Sequence, residues 1–595
     1  MKKIYLTLLI SIIVLIFNAC DDFIEITPND RIADSGVWDN PTTIKFYIND
    51  VYHSINGPLY IWSSRNSRDN IGGAPAIFDN FMTGDLWYNS GNLYTYSQWN
   101  KSTGLGALIR WTDCYTNIRK INNAIQELNA TTVLPKEYKE RYLGDMHFWR
   151  AMLYFELFRF YGKVPIIDHP QNRHEEEIFN PRNNETEVVD FFIQDFEKAI
   201  AYLPKDIPAD ELGRATKGAA VGMLSTAYLY LAGVMEDIIG SEAREYYKKA
   251  YETADILISG DLKGKYGLFG KNATDKGQAY HDLFMAANEY NEEVIFDIQF
   301  TDDGIGVSGN DRRGHDLMGV SHPGSYGQNT DGSYGGWGRN TPTQNMVDEF
   351  RMADGSRFDW NNPEHAANPY KNREPRFYAS ILYTGSPWRD DVIYASTNKP
   401  NSAGTGLVDN ATMKRGTNSY TMTGYYLKKL IDPTKRGGTP NRYAPFEGAD
   451  QNLIVLRYAE ILLTYAEAKN EYSGPDQRVY DALNAVRNRG GLPNISDLGQ
   501  AALRESIREE RHIELCFENK RYFDIMRWRK GPEIIGKDVY GIDVTYTMEN
   551  GTPTPHFTKV LLTTKSFESP KNYLMPVPDA VTGRNPNLLP NNTGW

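Results

Sequence analysis

Two stretches of this sequence combine flat aromatic rings with short polar side chains. Trp87, Tyr88, Tyr94, Tyr96 and Trp99 stand beside Asp85, Asn89 and Asn92, and Trp337 stands with Tyr326, Tyr334 and Arg339. A sugar presents apolar C–H faces and hydroxyl edges, so a glycan site needs indole or phenol faces with hydrogen-bonding groups at the rim. Both stretches meet that need, and both fall in Gly- and Asn-rich segments of the kind that carry binding residues. For any single ring, packing inside the protein is the competing role.

Other chemistry finds less support. Arg508 to Trp528 (REERHIELCFENKRYFDIMRW) is dense in Glu, Arg and His, and its acids and bases invite a catalytic reading. On a continuous helix, however, Arg511 precedes Glu514 by three residues, Glu514 precedes Glu518 by four, and Glu518 precedes Arg521 by three, so the charges are expected to satisfy one another as scaffold. His512 lacks the partner spacing of HExxH and is expected to be structural. Gly304, Gly306 and Gly309 spell GxGxxG, but the Asn310 to Gly314 run after them is no helix, which argues against a phosphate cradle. Asn329 to Ser333 (NTDGS) offers oxygen ligands without a calcium-loop layout. Arg173 to Glu177 reads as a solvated loop. GxSxG, Walker and CxxC motifs are absent from the sequence. No catalytic residue, metal ligand or cofactor is therefore assigned.

The elements that must position these residues are mainly helical. Apolar residues recur at three- and four-residue spacing in Leu108 to Asn129, and Glu137 to Tyr161 is the expected mate, stopping at Gly162 with Pro165 beyond. A helix from Asn40–Pro41 to about Tyr52 precedes them. Thr186 to Leu203, Thr216 to Gly233 and Ala243 to Ser259 follow, then much later Leu453 to Glu471, Gln477 to Arg489 and Ala501 to Phe517. Ala219, Ala220, Ala227, Ala459, Ala466 and Ala468 permit close helix approach. Such helix pairs point to a tetratricopeptide-like array without a strict 34-residue period. Between about Gly270 and Ala449 the character changes to loop-rich chain, with one short strand expected at Glu293 to Phe300. Trp111, Trp149, Trp528 and the helical tyrosines are assigned to the core.

The chain has 595 residues, 41% of them hydrophobic, and a formal charge of −12. Mean hydropathy is −0.54. Lys2, Lys3 and the apolar run Ile4 to Phe17 form an export signal too short to span a bilayer. Ala19 and Cys20 end it in the manner of a lipoprotein, so Cys20 is expected to be acylated and to hold the protein on a membrane through several chains; a plain secretory peptide is the alternative. Loss of Lys2 and Lys3 takes the charge from −12 to −14. That acidity disfavours nucleic acid as a partner. Cys114 and Cys516 read as buried hydrophobes, a single bridge being the minority alternative.

Several motifs, in this order, resemble the SusD/RagB family of Bacteroidetes surface lipoproteins: Trp111 to Ile125, Leu143 to Ile167, Gly213 to Ala232, EVIFDIQF, Thr341 to Gly355, Arg373 to Ile381, Thr423 to Lys429, Leu456 to Glu471, Asn484 to Pro493, Arg508 to Trp528, YLMPVP and NPNLLPNN. The resemblance implies a mainly α, tetratricopeptide-like scaffold with a large irregular half and few short strands. It implies a lid over a SusC/RagA-type TonB-dependent barrel in the outer membrane, surface exposure through the acidic Asp21, Asp22 and Glu25, and capture of glycan or peptide without bond cleavage. The chain then divides into a signal peptide (1–19), an acylated leader (20–36), an N-terminal region with helix pairs (37–270), a loop-rich region (271–450) and a C-terminal helical region (451–595). Rival readings are a peptide-capturing member of the same family and an extracellular glycoside hydrolase, which would need two carboxylates about 5 to 9.5 Å apart in a cleft.

Overall fold

Trp111, Cys114, Ile118, Ile121, Ala124 and Leu128 are all buried, and their spacing winds one face of the helix Ala107–Ala130 into the core. The same logic builds most of the chain. The computed structural model describes residues 34–60, 82–88, 107–171, 176–300, 340–389, 391–409, 421–434 and 451–595, with Leu317, Ser321 and Gly338. Cys20, the GxGxxG glycines and the NTDGS run lie outside the described residues.

Six helices form the first array: α1 (Pro41–Tyr60), α2 (Ala107–Ala130), α3 (Lys136–Tyr161), α4 (Glu185–Tyr202), α5 (Lys217–Val234) and α6 (Glu245–Ile258). Each packs on the next in chain order. Helix α3 stops at Gly162, whose φ of 66° is the left-handed conformation that favours glycine. Helix α4 starts with a reciprocal capping box, in which Asn184 accepts from Glu187 N and the Glu187 carboxylate accepts from Asn184 N.

A short α7 (Gln344–Glu349) interrupts the irregular stretch that follows. Then α8 (Tyr458–Ser473), α9 (Gln477–Arg489), α10 (Gln500–Glu514) and α11 (Arg521–Arg527) complete the scaffold. Helix α8 packs on both α5 and α6, so the array continues across the insertion. Gly233 of α5 lies so near α11 that a Cβ there would sit 2.3 Å from the Arg527 carbonyl oxygen. Trp111, Trp149 and Trp528 are buried as expected, and so are Cys114 and Cys516, both unbridged. One continuous apolar cluster joins the helices to the strands.

Strands are short, with one exception. β1 (Leu86–Tyr88) pairs antiparallel with β3 (Asn340–Pro342), and β2 (Val294–Ile298) pairs with β4 (Leu453–Arg457). The strand expected around Glu293 to Phe300 is present. Leu453 to Arg457, expected as the start of a helix, is instead extended, because its five residues are pinned by β2 before α8 begins at Tyr458. A long hairpin, β5 (Asp538–Glu549) and β6 (Thr552–Thr564), was not foreseen. Asn550 and Gly551 turn it with φ of 49° and 79°, the two positive values that a tight two-residue hairpin requires.

Buried charge ties these pieces together. Glu514, at the end of α10, bonds Arg457 of β4, Arg489 of α9 and, at 2.9 Å, Arg376. Glu293 bonds Arg457 and Arg489, both at 2.6 Å, while Glu510 takes Arg376 at 2.5 Å. Glu518 bonds Arg457 at 2.8 Å and Lys429 at 2.7 Å. A second cluster sets Arg527 bidentate on Glu467 at 2.6 Å, with Trp528 Nε1 donating to the same carboxylate at 2.7 Å; Asp524 takes Arg511 at 3.2 Å. The pairs expected within one helix are therefore replaced by pairs between elements. Helix α10 ends at Glu514 and α11 begins at Arg521, so the three- and four-residue rule fails for Glu518 and Arg521.

Burial works against ionisation of Glu514, but Arg489, Arg457 and Arg376 outweigh it and hold the carboxyl well below its ordinary range. Glu514→Gln removes the charge that three buried guanidiniums face, and a loss of about 3–5 kcal/mol in unfolding free energy is expected; a loss below about 1 kcal/mol would show that the network is balanced without it.

Asp297 on β2 behaves oppositely. Burial, with Glu289 nearby, pushes its carboxyl up to about 6 although Asn452 donates to it at 2.8 Å. The folded state thus holds this proton more tightly than the unfolded chain, and stability drains away as pH rises from about 4 through 6. Asp297→Asn should be more stable than the parent by about 1–3 kcal/mol at pH 7.5 and indistinguishable below pH 4, as read from melting curves across that range.

Candidate functional site

Trp87 and Tyr88 lie in the β1–β3 ribbon. Leu86 faces Pro342, Trp87 faces Thr341, and Tyr88 faces Asn340. Because the pairing is antiparallel, the chain leaves toward residue 89 and arrives from residue 339 at the same end of the ribbon. The two strands lie some 250 residues apart in sequence, as the Trp87–Thr341 hydrogen bond spans 254 positions.

Each strand is fixed from below. Thr343 caps α7 by accepting from Met346 N at 3.3 Å, and its hydroxyl donates to Gly84 O at 2.7 Å. Its own amide donates to Asp85 O at 3.0 Å, and Thr341 Oγ1 donates to Trp87 O at 3.3 Å. Gly84 turns the chain into β1 at φ 88°. Asn340 Nδ2 donates to Ser321 Oγ at 2.9 Å. Asn345 clamps α7 to the hairpin, donating to Asp538 O at 3.0 Å and accepting from Tyr540 N at 2.7 Å.

Of the residues singled out in the sequence, Trp87 and Tyr88 lie in β1, and Trp87 is half-buried. Asn89, Asn92, Tyr94, Tyr96, Trp99, Tyr326, Tyr334, Trp337 and Arg339 lie outside the described residues. Asp85 is not at a rim. Only 6% exposed, it accepts from His512 Nε2 on α10 at 3.2 Å. Burial would raise its carboxyl, but His512, with Arg521 adding to the field, keeps it below the usual carboxylate range. The placement follows from register: Asp85 sits just before β1, where the backbone is covered by Thr343 and α10. Lys565, just beyond β6, is also buried here, and its Nζ donates to Met82 O at 3.4 Å. Burial pushes its ammonium down to about 8 against the pull of Asp85. Neither Lys565 nor the Asp85–His512 pair carried a local signal in the sequence, since the partners are hundreds of residues apart.

A separate polar cleft of about 220 Å³ opens at the edge of the ionic core, between Asp348, Arg351, Arg357, Glu374, Glu509 and Glu510. Four of its acids have a basic partner: Arg351 and Arg357 both close on Glu509, Arg376 holds Glu374 at 2.7 Å and Glu510, and Lys559 reaches Asp348 at 3.1 Å; burial nonetheless raises the Glu374 carboxyl above its ordinary range. Asp113 and Asp297, both pushed up to about 6 by burial, lie elsewhere, on α2 and β2. Among the described residues, no group of three or more His, Cys, Asp or Glu is placed to hold a metal ion.

A mainly helical array carrying a loop-rich half on short two-stranded ribbons is the architecture of a class of binding proteins, and the comparisons name it. The model of the SusD family matches residues 292–595, and a second, described as starch-binding associating with outer membrane, matches residues 39–229. This chain belongs to the SusD family. SusD-like protein P2 of Formosa agariphila is 26% identical, with 100% of each chain covered. The crystal structure of a SusD-like protein from Bacteroides fragilis is 28% identical and superposes with a TM-score of 0.74, over 96% of this chain and 100% of that one. A laminarin binding SusD-like protein shares the fold with a TM-score of 0.63 at 20% identity, over 94% and 100% of the respective chains. The expected mainly α, tetratricopeptide-like scaffold is thus the observed one.

Proposed function

We propose that this chain is a cell-surface lipoprotein, tethered to the outer membrane through acylated Cys20, that binds oligosaccharide and passes it to a SusC/RagA-type TonB-dependent barrel. The observation that supports the glycan reading is the β1–β3 pairing of Leu86–Tyr88 with Asn340–Pro342, since in the sequence the stretch holding Trp87, Tyr88, Asn89, Tyr94, Tyr96 and Trp99 continues from β1 and the stretch holding Tyr326, Tyr334, Trp337 and Arg339 leads into β3. Aromatic faces take the C–H faces of a sugar, and the amides and guanidinium take its hydroxyls.

The laminarin binding neighbour and the starch-binding description of the matching N-terminal model support a polysaccharide as the ligand class. The formal charge of −12 favours a neutral one. Binding proceeds without cleavage in this reading. In the polar cleft the Glu509, Glu374 and Glu510 carboxylates are each held by arginine, which leaves none of the three free to attack or to activate water as glycoside hydrolysis requires.

Each sugar contributes little on an open platform, so affinity should climb with chain length as successive rings are engaged. Calorimetry against laminarin, starch and xylan oligomers is the direct test. Trp87→Ala and Trp337→Ala should each cost about 1–2 kcal/mol, roughly five- to thirtyfold in Kd. Absence of binding across the panel, or binding indifferent to both substitutions, would remove the basis of the reading. Anchoring is tested separately: Cys20→Ala should move the protein from the membrane to the soluble fraction after cell lysis, and retention on the membrane would count against acylation at Cys20.

A further inference from the structure

We infer that His512 is a positioning residue for Trp87, holding the ribbon that carries this ring through the Asp85 carboxylate and so setting ligand affinity without touching ligand. The inference rests on the glycan-binding reading and adds to it a residue on the family's charged C-terminal segment.

The argument begins with the size of the ribbon. Its strands have three residues each, and an isolated two-stranded sheet is marginal in water even when longer. Its position must therefore come from what it is tied to. Asp85 is the last residue before β1, and all three of its polar groups are engaged. Its amide donates to Thr83 Oγ1 at 3.3 Å, its carbonyl accepts from Thr343 N at 3.0 Å, and its carboxylate accepts from His512 Nε2 at 3.2 Å.

The first bond is local and the second reaches the cap of the short α7; the third reaches α10. The carboxylate of a residue that is 6% exposed is tolerated only where opposite charge and hydrogen bonds meet it, and here they arrive from the neighbouring Thr83 hydroxyl and from three residues distant in sequence: His512 on α10, Arg521 at the start of α11, and Lys565 beyond β6. His512 alone of the three bonds the carboxylate directly among the contacts described. Arg521 instead lies over the Trp528 ring, 5.4 Å from its centroid, and Lys565 reaches the Met82 carbonyl. Without the imidazole donor the carboxylate keeps only the Thr83 hydroxyl, so Asp85 is drawn toward water or toward Lys565, and β1 is drawn with it because one peptide bond joins Asp85 to Leu86.

The test compares His512→Leu, which cannot donate, with His512→Gln, whose amide can, using the mature protein and the laminarin, starch and xylan panel. For whichever polysaccharide binds the parent, His512→Leu should weaken binding at least tenfold, and His512→Gln should restore it to within threefold. Amide hydrogen exchange over residues 82–88 and 340–343 should quicken in His512→Leu and not in His512→Gln, while exchange in α3 stays unchanged. A purely structural histidine would lower the melting temperature in both without this rescue. Should His512→Leu fail to fold, His512→Asn, too short to reach Asp85, takes its place. Parent-like affinity and exchange in the non-donating variant overturn the inference. If the parent binds nothing on the panel, the glycan reading fails; the exchange comparison, which needs no ligand, still decides whether His512 holds the ribbon.

Discussion

Everything in the C-terminal half is organised around one buried carboxylate. Glu514 has no exposed surface, yet it is ionised, because three guanidiniums converge on it from three separate elements. Moving a charge out of water costs several kcal/mol even after relaxation, and the cost is offset only when the partners are all present with good geometry. The network is consequently all-or-none in character. Arg457 cannot be satisfied until β4 lies against β2, which brings Glu293; Arg489 cannot be satisfied until α9 meets the end of α10, which brings Glu514. Fixing Glu514 thus fixes the relative placement of segments that begin near residue 293 and end near residue 518.

Helix α10 serves this core and the ribbon at once. Glu510 and Glu514 are four residues apart and share a face, the one turned to Arg376. His512 lies two residues from Glu514, roughly 200° around the helix at 3.6 residues per turn, so it points to the other side and meets Asp85. A single turn and a half of helix therefore joins the ionic core on one face to the base of β1 on the other. Arg511, between them in sequence, turns to Asp524 and Glu467 in the second charge cluster. The density of charge between Arg508 and Trp528, which on its face suggests acid–base chemistry, is the density needed to bind three neighbouring elements with a single short helix.

The helices were legible in the sequence because their signal is local. Period-three-and-four burial from Trp111 to Leu128, the Gly162 stop and the Asn184 cap are all written within a few residues of where they act. Leu453 to Arg457 was misread because five consecutive apolar-rich residues running into a helix look the same whether they extend it or precede it as a strand. What settles the matter is β2, more than 150 residues earlier. The β5–β6 hairpin did carry a signal, the alternation from Val539 to Tyr546 and the Asn550–Gly551 turn, and was passed over in favour of the louder helical motifs. The sequence around Asp85 suggests a rim residue, but the groups that meet its carboxylate, His512 and Lys565, are more than 400 positions away. Contacts of that range have no local trace.

The same distinction explains what kind of site this fold can offer. An apolar core would hold the helices together with comparable strength, since well-packed hydrophobic replacements of buried ion pairs are often neutral or better. Charged hydrogen bonds differ in being directional: a guanidinium accepts only a narrow range of positions for the carboxylate it faces. Directionality matters most where the chain has least regular structure to define it, and the ribbon of three-residue strands is such a place. A helix embedded in the array needs no further instruction about where to lie, whereas β1 and β3, three residues each, are oriented by the burial of Leu86 and by the bonds of Asp85, Thr343 and Asn340. Binding an extended polysaccharide asks several rings to keep a fixed spacing against a ligand that contributes little energy per sugar, so the rigidity of the base on which those rings are mounted bears directly on affinity. The charged core supplies that rigidity at a distance, through α10, to a surface that could not supply it for itself.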